Sequence, residues 1–346
     1  PAPTPAPTPT PAFDGDAYFE GKTIRIITGT NPGGGYDVFS RLVGAAAERY
    51  FPESTRFIIQ NLPGAGQYRG LRAVLDAEPD GLTVGPTHSR WFAREAIMGD
   101  VPLFNLDDVY ILGSPTFSVG ESALCVNRKV ASSWEEVLAL GRPITHGQSA
   151  PGNAPAEEFL EALGAPIKAV YGYGGTAEIM AAFDRGETDA TDRCSENTVP
   201  RLYPDWLTER RMVPLFYDIK PYSAEWLKQL GFERDSYPRF SDLPGLTATQ
   251  SQLDAVAANM AAGELSRVFI LPEGVDPNVQ RDWQARFDQI MVDSQFIERL
   301  GIAGYADDYG YGTTADLQAV IDQIRGLDDK TRAEMLELSG VADLVI

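Results

Sequence analysis

The sequence predicts an α/β protein made of two lobes with a cleft between them. Three observations carry this. A short β-branched strand runs into Pro and a glycine cluster and then into a helical pattern twice, at residues 24–37 and again from residue 57. Two such loops in successive βα units of a parallel sheet open on the same edge. Strands and helices then alternate along most of the chain. The last third holds too few strands for a third sheet, so it is expected to return and complete the first lobe.

Taken in order, residues 1–12 read Pro-Ala-Pro-Thr-Pro-Ala-Pro-Thr-Pro-Thr-Pro-Ala, a composition that runs as a semi-stiff polyproline tether. Residues 1–16 are expected to be a disordered tether. Strands at 23–28, 57–61 and 82–85 around helices at 37–50 and 68–77 make a βαβαβ half-sheet. Further strands are expected at 110–113, 123–126, 143–147 and 168–171, and the alternation continues in a second unit with strands at 188–191 and 212–217. Helices are expected among them at 134–140, 154–163 and 177–185. Residues 233–244, rich in Pro, Asp, Ser and Arg, break the pattern. A helix at 250–262, a strand at 268–271 and three further helical patterns close the chain. The expected division is residues 17–115 with 244–346 as lobe 1 and 116–243 as lobe 2, with crossings near 114–118 and 240–245.

Composition narrows the function. The 346 residues are 43% apolar and carry 29 basic against 49 acidic side chains, a formal net charge of −20. That charge repels polyanions and disfavours nucleic acid as a partner. No window approaches the roughly 18 apolar residues of a membrane span. A Pro/Thr start resembles the mature end of an exported protein at the outer face of the membrane. It is read either as held through a lipidated residue upstream of Pro1 or as an ordinary tail. The two cysteines, Cys125 and Cys194, match no metal-ligand spacing. Export allows a disulfide, but a strand cysteine such as Cys125 reads first as a small buried hydrophobe. With His88 and His146 the only histidines, no imidazole-based catalytic or metal cluster is expected.

The first loop, Asn31-Pro32-Gly33-Gly34-Gly35-Tyr36-Asp37, lacks the Lys-Ser/Thr of a phosphate-binding P-loop. The second, Gly64-Ala65-Gly66 with Gly70 beyond, approaches a dinucleotide fingerprint, which leaves a dinucleotide-dependent α/β enzyme as the alternative. Its spacing is wrong and Pro63 precedes it. Both loops instead present backbone N–H groups at a helix N-terminus, an arrangement that holds an anion.

These residues carry a resemblance. Pro32-Gly33-Gly34-Gly35-Tyr36-Asp37 with Arg41, Asn61-Leu62-Pro63-Gly64-Ala65-Gly66 and Pro79-Asp80-Gly81-Leu82-Thr83 resemble, in order and spacing, the start of the Bug-type substrate-binding proteins of tripartite tricarboxylate transporters. Later stretches, Gly147-Gln148-Ser149, Tyr173-Gly174-Gly175-Thr176-Ala177-Glu178 and Phe269-Ile270-Leu271-Pro272-Glu273, resemble that family more weakly. The resemblance implies a two-lobed periplasmic-binding-protein fold, a Venus flytrap of type II-like form. It implies a periplasmic or extracellular receptor, a monomer and not an enzyme, that hands a small organic acid to membrane transporter subunits. No cofactor, metal or catalytic group goes with it. The ligand is expected to be a di- or tricarboxylate or an aromatic acid.

In that family one ligand carboxylate lies between the two glycine loops. Carried over, the role falls to Gly33, Gly34, Gly35, Tyr36 and Asp37, and to Pro63, Gly64, Ala65, Gly66 and Gln67. Backbone donors are expected to suffice without a buried arginine. Tyr36 and Gln67 depart from the family, which usually has Thr or Ser, and a small residue, at those points. Tyr36 reads equally as pocket wall or exposed lid. Asp37 reads as a helix cap before a catalytic group, paired with Arg41 one turn on. His88 and His146 fall at strand ends facing the cleft. From the second lobe the candidates are Gln148, Ser149, Tyr173, Gly175, Thr176 and Arg193, the last either lining the cleft or paired with Asp192 or Glu196. Trp283, Phe287 and Ile290 make a core stripe.

Overall fold

A computed structural model of the chain describes residues 13–98, 103–117, 123–149, 151, 154–196, 198–218, 220–232, 237–305 and 309–338. The tether proper lies outside them. Its expected end does not: Asp14 accepts from the N–H of Ala17 and caps a helix at Gly15–Phe19, whose Phe19 is fully buried. Order therefore begins before residue 17.

Among the described residues twelve strands occur in chain order: β1 (Thr23–Thr28), β2 (Arg56–Asn61), β3 (Thr83–Thr87), β4 (Tyr110–Gly113), β5 (Thr116–Phe117), β6 (Leu124–Asn127), β7 (Ile144–Gln148), β8 (Ile167–Tyr171), β9 (Ala190–Thr191), β10 (Met212–Phe216), β11 (Leu265–Ser266) and β12 (Val268–Leu271). The first sheet has the order β2-β1-β3-β12-β4. Its first three strands are parallel, with Ile26 opposite Ile59 and Val84. The all-apolar β12 enters antiparallel between β3 and β4, because the chain there is coming back from the second lobe. The second sheet has the order β10-β6-β9-β7-β8, parallel at β9-β7-β8 and antiparallel at β6 and β10.

Between the sheets runs a two-stranded antiparallel ribbon, β5 with β11, pairing Phe117 with Leu265 and Thr116 with Ser266. In the chain β5 follows β4 of the first sheet and precedes β6 of the second. The return falls about twenty residues after 240–245. Phe240 and Leu243 pack in the second core instead of leaving it, and the Gln250–Glu264 helix follows. That helix touches both lobes, through Val256 and Met260 on one side and Ala255 and Ala258 on the other.

Each sheet is covered on both faces, as an α/β layer requires. Ile24, Ile26, Phe39, Val43, Trp283, Phe287 and Ile290 fill one face of the first sheet, so the expected helical stripe is core. Ile27, Leu71, Phe92 and Ile270 fill the other. Phe92 belongs to a helix, Ser89–Met98, that the sequence pattern does not predict. Four described helices rather than three follow β12: Pro277–Met291, Ser294–Ile302, Thr314–Arg325 and Asp329–Leu338. In the second lobe Cys125 and Cys194 form a disulfide, both fully buried. The pairing of β6 with β9 brings two residues 69 positions apart side by side.

Candidate ligand-binding site

The parallel strands β1 and β2 end on the edge that faces the second lobe, and their loops open there. The Gly35–Ala47 helix is N-capped by Gly34, and the Tyr68–Leu75 helix by Gln67; neither residue supplies a side-chain cap, so each first turn keeps donors for another acceptor. The second loop runs left-handed through Ala65 (φ 45°), Gly66 (58°) and Gln67 (77°). Two non-glycine residues in that region are held only because their surroundings dictate it. The surroundings are the first loop: a Cβ on Gly29 would lie 2.7 Å from Cα of Gln67, and one on Gly70 would lie 2.6 Å from Cα of Gly29. Gly70, which completed the near-fingerprint, serves this backbone contact.

A cavity of about 350 Å³ lies where these loops meet the second lobe. The first lobe lines it with Gly34, Gly35 and Tyr36 and with Gly64, Ala65, Gly66 and Gln67, beside His88. The second lobe adds Ser149, Tyr173, Gly175, Thr176 and Arg193. Four expected residues do not line it. Asp37 is occupied: it accepts from the N–H of Gly33 at 2.8 Å and from Asn61 Nδ2 at 2.9 Å, and pairs with Arg41 at 2.9 Å. Burial pushes its carboxyl up, but Arg41, Gly33 and Asn61 outweigh this and hold it below the usual carboxylate range. Gly33 is turned away by that bond and gives its carbonyl to Arg201 of the second lobe at 3.2 Å. Pro63 only precedes the left-handed turn. Gln148 is fully buried and acts behind the wall, accepting from Arg193 Nη2 at 3.4 Å.

The larger correction is electrostatic. Three guanidinium groups, of Arg90, Arg193 and Arg267, line the cavity with the backbone loops, and no Asp or Glu does so among the described residues. Arg90 stands at the start of the Ser89–Met98 helix, two residues beyond His88. Burial draws its guanidinium down, opposed by Glu158 of the second lobe. Arg193 lines the cavity and also pairs with Asp192 at 2.7 Å, so both of its readings hold together. Arg267 belongs to the join between β11 and β12, and its N–H is 3.4 Å from Tyr36 Oη. Tyr36 is therefore wall and not lid, its phenol raised by burial. His88 accepts at Nδ1 from the N–H of Arg90 (3.2 Å), which leaves Nε2 as the protonated nitrogen. Burial, then Arg90, Arg267 and Arg193, hold its pKa well below the ordinary imidazole value. His146 is fully buried on β7 and is not in the cavity. Gly29, Thr30, Gly172, Gly174, Ile179 and Ser266 complete the lining.

No protein-family model matches this chain, and no curated protein does. Solved structures do. BugD, a periplasmic binding protein, matches with a TM-score of 0.63 at 16% identity, over 92% of this chain and 98% of its own. Rpa4515 of R. palustris, solved with adipate, matches at 0.62 and 17%, over 93% and 97%. MatC of Rhodopseudomonas palustris, solved with bound malate, matches at 0.60 and 14%, over 92% and 98%. The fold is that of the periplasmic solute-binding proteins. In such a fold the cleft between lobes is a favoured place for a small ligand, and the cavity lies there.

Proposed function

We propose that this protein is an extracytoplasmic solute-binding protein that captures a small organic carboxylate and delivers it to the membrane subunits of a tripartite tricarboxylate-type transporter. The observation that carries the reading is the charge of the cavity: three guanidiniums and two glycine loops at helix N-termini, with no carboxylate among the described lining residues. In a chain of net charge −20 this lining gives the acid a local attraction that the whole molecule does not. Adipate and malate, with which two structures of the same fold were solved, are of this chemistry. The dinucleotide alternative loses its support. The Gly64 loop leaves the edge strand β2, whereas the fingerprint belongs to the first strand beside a switch point.

Residues 13–338 in this reading act as a receptor and not as an enzyme, at the periplasmic or outer face of the membrane. The test is a thermal-shift screen of the purified protein over an organic-acid library, including succinate, malate, adipate, citrate and benzoate. A ligand at a hundred times its Kd stabilises by about 2.7 kcal/mol. Stabilisation by acids and not by NAD or NADP supports the receptor; the reverse result overturns it.

A further inference from the structure

His88 lines the cavity beside Tyr36, their ring centroids 6.2 Å apart. Its Nδ1 is engaged by the N–H of Arg90 at 3.2 Å, so the polar atom it offers the cavity is Nε2, and as a donor. Burial first, and then Arg90, Arg267 and Arg193, hold the ring's pKa well below the ordinary imidazole value, so Nδ1 stays an acceptor. The carboxylates around the site are engaged elsewhere. Asp37 is held by Gly33, Asn61 and Arg41, Asp192 pairs with Arg193 at 2.7 Å, and Glu158 accepts from Tyr171 Oη at 3.3 Å. None of the three lines the cavity. A ligand oxygen placed at His88 therefore meets a donor. An ammonium in the same place meets a donor as well, with the guanidiniums of Arg90 and Arg193 in the same lining and no carboxylate among the described lining residues.

We propose that His88 sets the ligand class: its Nε2–H donates to a ligand oxygen and, with Arg90 and Arg193, bars a ligand ammonium, so the site takes hydroxy, oxo and plain carboxylic acids and rejects amino acids. The inference rests on the solute-binding reading above. Selection here works by exclusion as much as by attraction, because the amino acid offers the glycine loops the same carboxylate and is turned away by its other charge. Malate and aspartate separate the two cases, since one carries a hydroxyl where the other carries an ammonium. The pair 2-oxoglutarate and glutamate does the same with an oxo group.

The test is calorimetric titration of the wild type with malate, aspartate, 2-oxoglutarate and glutamate. Malate or 2-oxoglutarate is expected to bind at least about tenfold more tightly than its amino counterpart. Two variants then assign the discrimination to His88. In His88→Asn the amide oxygen still accepts from the N–H two residues on, which keeps the start of the Ser89–Met98 helix, while Nε2–H is gone. This variant should melt as the wild type does and bind the preferred acid about tenfold more weakly, the loss of one hydrogen bond to a charged group, so its ratio to the amino acid falls. His88→Glu supplies the missing carboxylate and should narrow the ratio further by attracting the ammonium; if it fails to fold, His88→Asn decides alone. A wild type that binds both members of a pair equally, or the amino acids alone, overturns the inference and leaves the receptor standing, as does a ratio that the variants leave unchanged. A wild type that binds none of the four acids overturns the inference, and one that also responds to no acid in the thermal-shift screen overturns the receptor with it.

Discussion

Gly174 of the second lobe accepts a hydrogen bond from the backbone N–H of Asn31 in the first, 3.1 Å away, and a Cβ on Gly174 would overlap the Asn31 side-chain amide. The two loops meet backbone to backbone at the mouth of the cavity. Asn31 Nδ2 also reaches Glu178 at 3.4 Å, and Arg201 of the second lobe stacks 5.1 Å from the ring of Tyr305.

Replacing Gly174 with Val is expected to wedge the mouth open. The radius of gyration from small-angle scattering should rise in the variant with the best acid present, while its far-UV circular dichroism matches the wild type. An unchanged radius removes this contact from the closed state.

Gly64→Val and Gly34→Val should separate backbone strain from lost space. Gly64 has φ 131°, which a β-branched residue resists, so that variant should lose both melting temperature and ligand response. Gly34 sits at φ −73°, and a Cβ there would meet nothing nearer than the Asn31 carbonyl oxygen at 3.5 Å, so Gly34→Val should melt normally and still fail to bind. Differential scanning calorimetry with and without ligand checks both.

Tyr36→Thr should lower affinity for the best planar acid by up to about tenfold and relatively favour small polar acids, since ring stacking contributes on the order of 0.5–1.5 kcal/mol. An unaltered ranking in the thermal-shift screen places selectivity on Tyr173 and Arg193 instead.

His146 gives a pH test. It is wholly buried, and burial first, with Arg193 adding and Asp192 opposing, lowers its pKa to about 4. The unfolded chain therefore takes up the proton first, and this contribution to stability is lost as pH falls from about 6.5 through about 4. Urea unfolding should show the wild type losing up to about 3 kcal/mol relative to His146→Gln across that window. Buried groups common to both proteins, Glu157 among them, cancel in the difference.

The Cys125–Cys194 bridge closes a span of 69 residues. Loop-closure entropy puts its removal, as Cys125→Ala with Cys194→Ala, at about 4 kcal/mol. Because both sulfurs are buried, reductant should lower the urea midpoint only after the native protein has opened. A midpoint insensitive to the double substitution overturns this.

The first half-sheet was legible because its strands are short β-branched runs ended by Pro and Gly, and the cavity-lining glycines lie at those ends. The long helix with Trp283, Phe287 and Ile290 was legible from its apolar spacing, and in the structure Asp276 caps it before Pro277. Residues 233–244 misled because Pro, Asp and Ser read as a linker, while Phe240 and Leu243 anchor part of that stretch in a core. Arg90 was within reach: it follows β3 at the same edge that singled out His88. Arg267 carried no local signal. Only the antiparallel return of β12, a long-range pairing, brings it to the glycine loops, and the same is true of the disulfide.

The placing of three cations inside a strongly acidic molecule bears on the kinetics of capture. Beyond the Debye length of about 8–10 Å at physiological ionic strength an approaching acid feels little of either charge, but at low salt it meets the repulsion of a molecule of net charge −20 first. Raising the ionic strength from low to physiological should therefore speed association, the reverse of the usual steering of a ligand toward an oppositely charged protein. In the proposed receptor the acid inside the cleft is shielded from the bulk beside the guanidiniums, so dissociation should change less. Stopped-flow traces at two salt concentrations would then differ mainly in how fast the acid is admitted, with the residence time set by the opening of the lobes.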